Sequence, residues 1–167
     1  SSMIKKIGAK YVIVGHSENR SNGETNKQIN QKIHNAITNN LNVIFCIGET
    51  LSEKKNNKTN SIMRKQINLG LNKIKNINKI IFAYEPVWSI GTGKVLINQD
   101  LKKQILNIKN IIGKKFRKQK AKIIYGGSVN NKNINDLKQI IQLDGFLIGG
   151  ASQNSKKFID IIKKTIN

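Results

Sequence analysis

Ile80-Ile81-Phe82-Ala83-Tyr84-Glu85-Pro86-Val87-Trp88-Ser89-Ile90-Gly91-Thr92-Gly93-Lys94 is the stretch on which the reading turns. An apolar run of strand length leads straight into a carboxylate. A proline follows and fixes the exit direction of the chain. Two glycines, one residue apart, close the segment. A strand that ends in an acid and opens into a glycine-hinged loop holds a base under a lid. The strand fixes Glu85, and the apolar Val87, Trp88 and Ile90 can shed water when the loop closes.

Outward from this stretch, four further runs read as strands: Tyr11–Val14, Val43–Ile47, Lys122–Tyr125 and Phe146–Ile148. Between most of them the apolar spacing is helical, as at Ile29, Ile33, Ala36 and Ile37, or at Leu101, Ile105, Ile108 and Ile112. Strands alternating with helices predict βα units around a parallel sheet, an α/β fold, with one domain over 1–167. Nearly every strand run ends in glycine or an acid, as chemistry at the carboxyl ends of parallel strands requires.

Several classes drop out. The longest apolar runs are far short of the ~20 residues that span a bilayer. A single cysteine, Cys46, excludes an internal disulfide framework and suits a reducing compartment, so the cytoplasm is the expected location. Cys46 lies mid-strand with no base beside it, which favours buried packing over nucleophilic catalysis. Gly91-Thr92-Gly93-Lys94 is not a phosphate-binding P-loop, because Trp88 stands where that motif needs glycine. No Cys/His cluster has metal spacing.

The net charge is +21 and the pI about 10.2. Such charge suits nucleic acid or a membrane surface. The lysines, however, run as singles and pairs from Lys5 to Lys164 with Asn as the other common polar residue. That spread favours compositional drift over nucleic-acid binding.

Candidate chemistry collects at the strand ends. His16 follows the first strand and opens a helical turn, where the helix N-terminus favours a neutral imidazole. Gly126-Gly127-Ser128 and Gly149-Gly150-Ala151-Ser152 each follow a strand, and their backbone N–H groups can form anion nests. His34 sits inside a helical pattern and is expected at the surface or the edge of the core.

Five blocks, IGAKYVIVGHSENR, VIFCIGETL, IIFAYEPVWSIGTGK, IIYGGSV and DGFLIGGAS, resemble the triosephosphate isomerase family in its order and near its spacing. The resemblance implies a partial (β/α)8 barrel. The five parallel strands with flanking helices would be units four to eight. The first three strand–helix units, which hold an Asn and a Lys that help bind substrate, would belong before Ile7. It implies interconversion of dihydroxyacetone phosphate and D-glyceraldehyde 3-phosphate through an enediolate, in glycolysis and gluconeogenesis. The substrate is a small phosphorylated triose, with no cofactor, no metal and no membrane, and the complete protein is expected as a homodimer. Rival readings are a basic nucleic-acid-binding protein or a non-catalytic remnant of the barrel.

By position, Glu85 matches the family's base, His16 its electrophile, and Glu18 the acid that supports the active-site lysine. Gly91, Ser128, Gly149 and Gly150 match the donors around the phosphate. Pro86, Val87, Trp88, Ser89, Ile90, Gly91, Thr92, Gly93, Lys94, Val95 and Leu96 match the closing lid, and Tyr125 a residue that steadies it closed. Asn19 replaces the first of a usual Arg pair, leaving Arg20. The Ser21-Asn22-Gly23-Glu24 stretch is one residue short, and β-branched Val95 stands at a hinge where small residues are usual.

Overall fold

The computed structural model describes residues 2–92, 96, 98–117 and 119–166. Five parallel strands form one sheet in chain order: β1 (Tyr11–Val14), β2 (Asn42–Ile47), β3 (Ile80–Tyr84), β4 (Lys122–Tyr125) and β5 (Gly145–Phe146). The helices are α1 (Ser2–Lys6), α2 (Ser17–Ser21), α3 (Asn26–Thr38), α4 (Leu51–Lys55), α5 (Thr59–Gly70), α6 (Asn98–Lys115), α7 (Ile134–Leu137) and α8 (Ser155–Ile166). The last strand is shorter than the expected Phe146–Ile148 and starts a residue earlier. Among the described residues it pairs on one side only, with β4, and past Phe146 the ladder to β4 continues through one bond, Leu147 N–H to Tyr125 O. Without a second neighbour the ladder stops short of the apolar run.

The local signals explain the helix starts. Thr25 caps α3 and Thr50 caps α4, each in a reciprocal box with the side chain three residues on, Gln28 and Glu53. The apolar spacing then selects the packing faces. Ile29, Ile33 and Ala36 of α3 and Leu101, Ile105, Ile108 and Ile112 of α6 are buried, with Ile37 at the margin. Each fully buried Ile or Leu contributes about 1.5–3 kcal/mol.

The two faces of the sheet differ, and the alternation of strand side chains sets which residue goes where. Val43, Phe45, Phe82 and Ile123 are buried in the core shared with the helices. Contact there is close: a Cβ at Gly70 of α5 would lie 2.5 Å from the Phe45 ring. The opposite parity, Tyr11 and Ile13, Ile44, Ile81 and Ile124, lies outside that core and is left exposed or half-buried. Tyr11 and Ile13 are 51% and 50% exposed. Among the described residues β1 pairs only with β2 and β5 only with β4, so the sheet is open at both edges.

An open, half-covered sheet of this kind invites association. We expect the 167-residue chain, made alone, to elute in size-exclusion chromatography well above its 18.8 kDa monomer mass. A monodisperse monomer would overturn this and require the edges to be covered in another way.

Candidate active site

Glu85 follows β3 with the parity of Ile81 and Ala83, so its side chain stands on the open face of the sheet at the carboxyl end. It is 3% exposed. The ladder continues past the strand and grips it: Glu85 N–H donates to Ile47 O at 2.8 Å and Val87 N–H to Glu49 O at 3.0 Å. Two glycines make room. A Cβ at Gly48 would lie 1.8 Å from the Glu85 carbonyl oxygen, and one at Gly126 would lie 2.7 Å from its Cγ. Gln66 of α5 pins Gly48 from behind. Its amide accepts from Gly48 N–H and donates to Gly48 O, both at 2.9 Å.

The carboxylate meets its neighbours across the sheet. Glu85 Oε1 lies 3.6 Å from His16 Nε2. Oε2 is buried with no hydrogen-bond partner among the described residues. Burial raises the Glu85 pKa above the usual carboxylate value. His16, the Cys46 thiol, the Ser17 backbone N–H and Arg20 pull it back toward ionisation. His16 caps α2, and its Nδ1 accepts from Glu18 N–H at 3.4 Å. A neutral ring so bound carries its proton on Nε2, the atom that faces Glu85. Arg20 locks the turn below, donating to Gly15 O, Asn26 Oδ1 and Cys46 O at 2.7, 2.9 and 3.1 Å. Cys46 itself is buried, and burial beside Glu85 drives its thiol pKa far up, which keeps it protonated.

A pocket of about 810 Å³ opens over this pair. His16, Glu85, Gly91, Ser128, Gly149 and Gly150 all line it, together with Lys132 and Lys157. No atom lies within 4 Å of a Cβ built at Gly149 or Gly150, so both backbones face open space. Glu18 stands apart. Its carboxylate is 85% exposed, 3.9 Å from His16 Nδ1, and does not line the pocket. The segment expected as a lid leaves β3 through Pro86 and a 3₁₀ turn, Val87–Ser89. Ser128 Oγ donates to Ser89 O, and Ser128 N–H donates to Ser89 Oγ at 3.4 Å. The buried Tyr125 hydroxyl lies 3.4 Å from Ser89 Oγ and accepts from Leu96 N–H. Gly93, Lys94 and Val95, with the hinge expected at Val95, lie outside the described residues.

Comparison with known proteins settles the kinship. The family profile described as triosephosphate isomerase matches residues 1–165. This chain belongs to the triosephosphate isomerase family. It is 44% identical over 165 residues to the triosephosphate isomerase of Thermodesulfovibrio yellowstonii, covering 97% of this chain and 67% of that relative. It is 44% identical to the Yarrowia lipolytica protein of the same name, covering 99% and 68%, and 42% identical to that of Mycoplasma mobile, covering 98% and 66%. The chain thus spans about two thirds of the length of these members of the family.

Two groups beside this family's site escaped the sequence reading. One is Gln66, which no local pattern distinguishes from any other helix glutamine. The other is Glu49, visible only as an acid after a strand. It is 1% exposed and accepts from Trp88 Nε1 at 2.9 Å and from the Tyr84 hydroxyl at 3.2 Å. The Lys54 ammonium sits 3.5 Å from the Trp88 ring centroid, a cation–π contact on the lid's first turn. Burial raises the Glu49 pKa, opposed by the bond from Trp88.

Trp88 is the chain's single tryptophan and therefore reports on Glu49 directly. A raised pKa means that the carboxylate gains its proton while pH is still above the ordinary value of about 4.3. Tryptophan emission should change on acidification with a midpoint above that value, and Glu49→Gln should remove the transition. A midpoint at or below it, or a transition that survives the substitution, would count against the assignment.

Proposed function

We propose that the chain forms the base, electrophile, phosphate nest and lid of a triosephosphate isomerase, which interconverts dihydroxyacetone phosphate and D-glyceraldehyde 3-phosphate. The observation that carries this reading is the buried Glu85 carboxylate, with one oxygen unpartnered and the other 3.6 Å from His16 Nε2, at the mouth of a glycine-lined pocket. Family membership supplies the substrate class.

Moving a hydrogen between neighbouring carbons needs a base at carbon and a donor at oxygen. Glu85 takes the proton next to the carbonyl, and the freed electron pair becomes the enediolate. His16 Nε2–H donates to the oxygen where negative charge builds. Glu85 returns the proton to the adjacent carbon, so no atom is gained or lost. Burial makes Glu85 a stronger base than a solvated carboxylate. Gly91, Gly149 and Gly150 offer backbone N–H groups to the phosphate beside Ser128, whose own donors reach Ser89, with Lys157 at the rim of the same pocket. The lid excludes water and so protects the enediolate from losing phosphate. Glu18 supports a lysine that the family carries outside the matched blocks. The complete enzyme acts as a homodimer in the cytoplasm. Among the described residues no helix is long and apolar enough to cross a membrane.

The test is a chimera that places the first third of the Thermodesulfovibrio yellowstonii relative before this chain. We expect isomerase turnover from the chimera and little from the chain alone. Glu85→Gln in the chimera should lower kcat by about 10²–10⁴. Because the base must be ionised and burial raises its pKa, kcat/KM should fall on the acid side above the ordinary carboxylate range. A Gln variant within tenfold of the parent would remove Glu85 from this role.

The phosphate nest has its own test. A side chain at Gly150 meets open pocket and no protein atom. Gly150→Val should therefore leave the fold intact and weaken inhibition by inorganic phosphate at least about tenfold, roughly 1.4 kcal/mol. Unchanged inhibition would place the phosphate elsewhere.

A further inference from the structure

The fold gathers eleven of the thirty basic side chains on one edge, a grouping that their even spacing in sequence conceals. In a parallel sheet every strand starts at the same end, and the loops that feed the strands form one rim. Lys5, Lys6 and Lys10 lie in and after α1, just before β1. Lys73, Lys75 and Lys79 precede β3. Lys114, Lys115 and Arg117 end α6, and Lys120 and Lys122 lead into β4. These loops touch. Lys5 Nζ donates to Asn40 O at 3.1 Å and Lys79 Nζ to Asn40 Oδ1 at 2.7 Å. The Gln119 side chain donates to Lys75 O at 3.0 Å and accepts from Ile77 N–H at 2.8 Å. At about 4.8 Å per strand, the starts of β1 to β4 span roughly 15 Å of continuous basic edge.

Acids do not balance this edge. Six of the chain's nine, Glu18, Glu24, Glu49, Glu53, Glu85 and Asp100, lie at the opposite, carboxyl end of the strands. Asp144, before β5, is the acid at the basic end, and it is already engaged by Ile123 N–H and lies 4.0 Å from Lys109. Among the described residues none of the basic side chains of the rim has a carboxylate within 4.0 Å. Interaction with helix carboxyl ends accounts for Lys114 and Lys115. It does not account for Lys73, Lys75, Lys120 or Lys122, which stand in loops or at a strand start.

We infer that this amino-end rim is a docking surface for the phosphate backbone of double-stranded nucleic acid, bound without regard to sequence. The side chains are point-charge lysines with one arginine, suited to phosphates rather than to base edges. The loops before β3 and β4 expose no aromatic side chain among the described residues, since Phe116 is buried; half-exposed Tyr11, at the start of β1, is a single ring, short of the successive platforms on which a single strand stacks its bases. The rim lies across the sheet from Glu85, so this surface is independent of the isomerase reading and its test reads no turnover.

The experiment measures anisotropy of a labelled duplex of about 20 base pairs with the purified chain, from about 50 to 200 mM salt. Four phosphate contacts would give a slope of about −3.6 in log K against log salt. Changing Lys75, Lys114, Arg117 and Lys120 together to Gln should weaken binding at least tenfold and flatten the slope. Changing Lys27, Lys65, Lys102 and Lys103 to Gln removes the same charge from helix faces and should cost less than threefold. The charge-conserving set Arg117→Lys with Lys75→Arg, Lys114→Arg and Lys120→Arg should retain binding, which separates charge from misfolding. Equal losses in the rim and helix-face variants, no binding at the lowest salt, or tighter binding to a single strand of the same length would each overturn the proposal.

Discussion

The site depends on one close contact, the backbone of Gly48 lying against the carbonyl of Glu85. With no room for even a methyl group, the ends of β2 and β3 run together beyond the point where their regular ladder closes. The Gln66 amide holds both polar groups of Gly48, so the contact is tied to α5 rather than to solvent. Everything that follows inherits this register. Glu85 is aimed by it, Pro86 leaves in a fixed direction, and Val87 bonds back to Glu49. A larger residue at position 48 would push the Glu85 carboxylate off the sheet.

The electrostatics run against composition. A chain with +21 net charge buries two carboxylates, Glu49 and Glu85, and neither has a lysine or arginine within ion-pair distance among the described residues. Their charge is instead carried by dipoles: the indole and phenol at Glu49, and the imidazole with the start of α2 at Glu85. Desolvation therefore sets the direction of both pKa values, up. The abundant lysines stay in water, where their mutual repulsion is screened.

Much of the fold was legible because its signals are local. The strands at Tyr11–Val14, Ile80–Tyr84 and Lys122–Tyr125 coincide with β-branched runs, and the faces of α3 and α6 with their apolar spacing. The end of β5 was not legible, because a ladder needs a neighbour that the apolar run of Phe146 to Ile148 cannot announce. At the site, strand-end residues such as Glu85 and His16 could be read because position along the strand dictates their end of the sheet. Gln66 and Glu49 could not, since each matters through a contact with a residue 18 to 39 positions away. The pairing of rim lysines across loops was hidden for the same reason.

Sheet order here equals chain order, so each strand's partner is the one made just before it. On a ribosome, no strand need wait for a later segment before it pairs. Each new βα unit can add to a template that already exists, and the growing edge is always the most recent strand. The loop-closure entropy of each addition spans only one unit, which keeps the cost of every step small and alike. Such a sheet is assembled by accretion, one βα unit at a time.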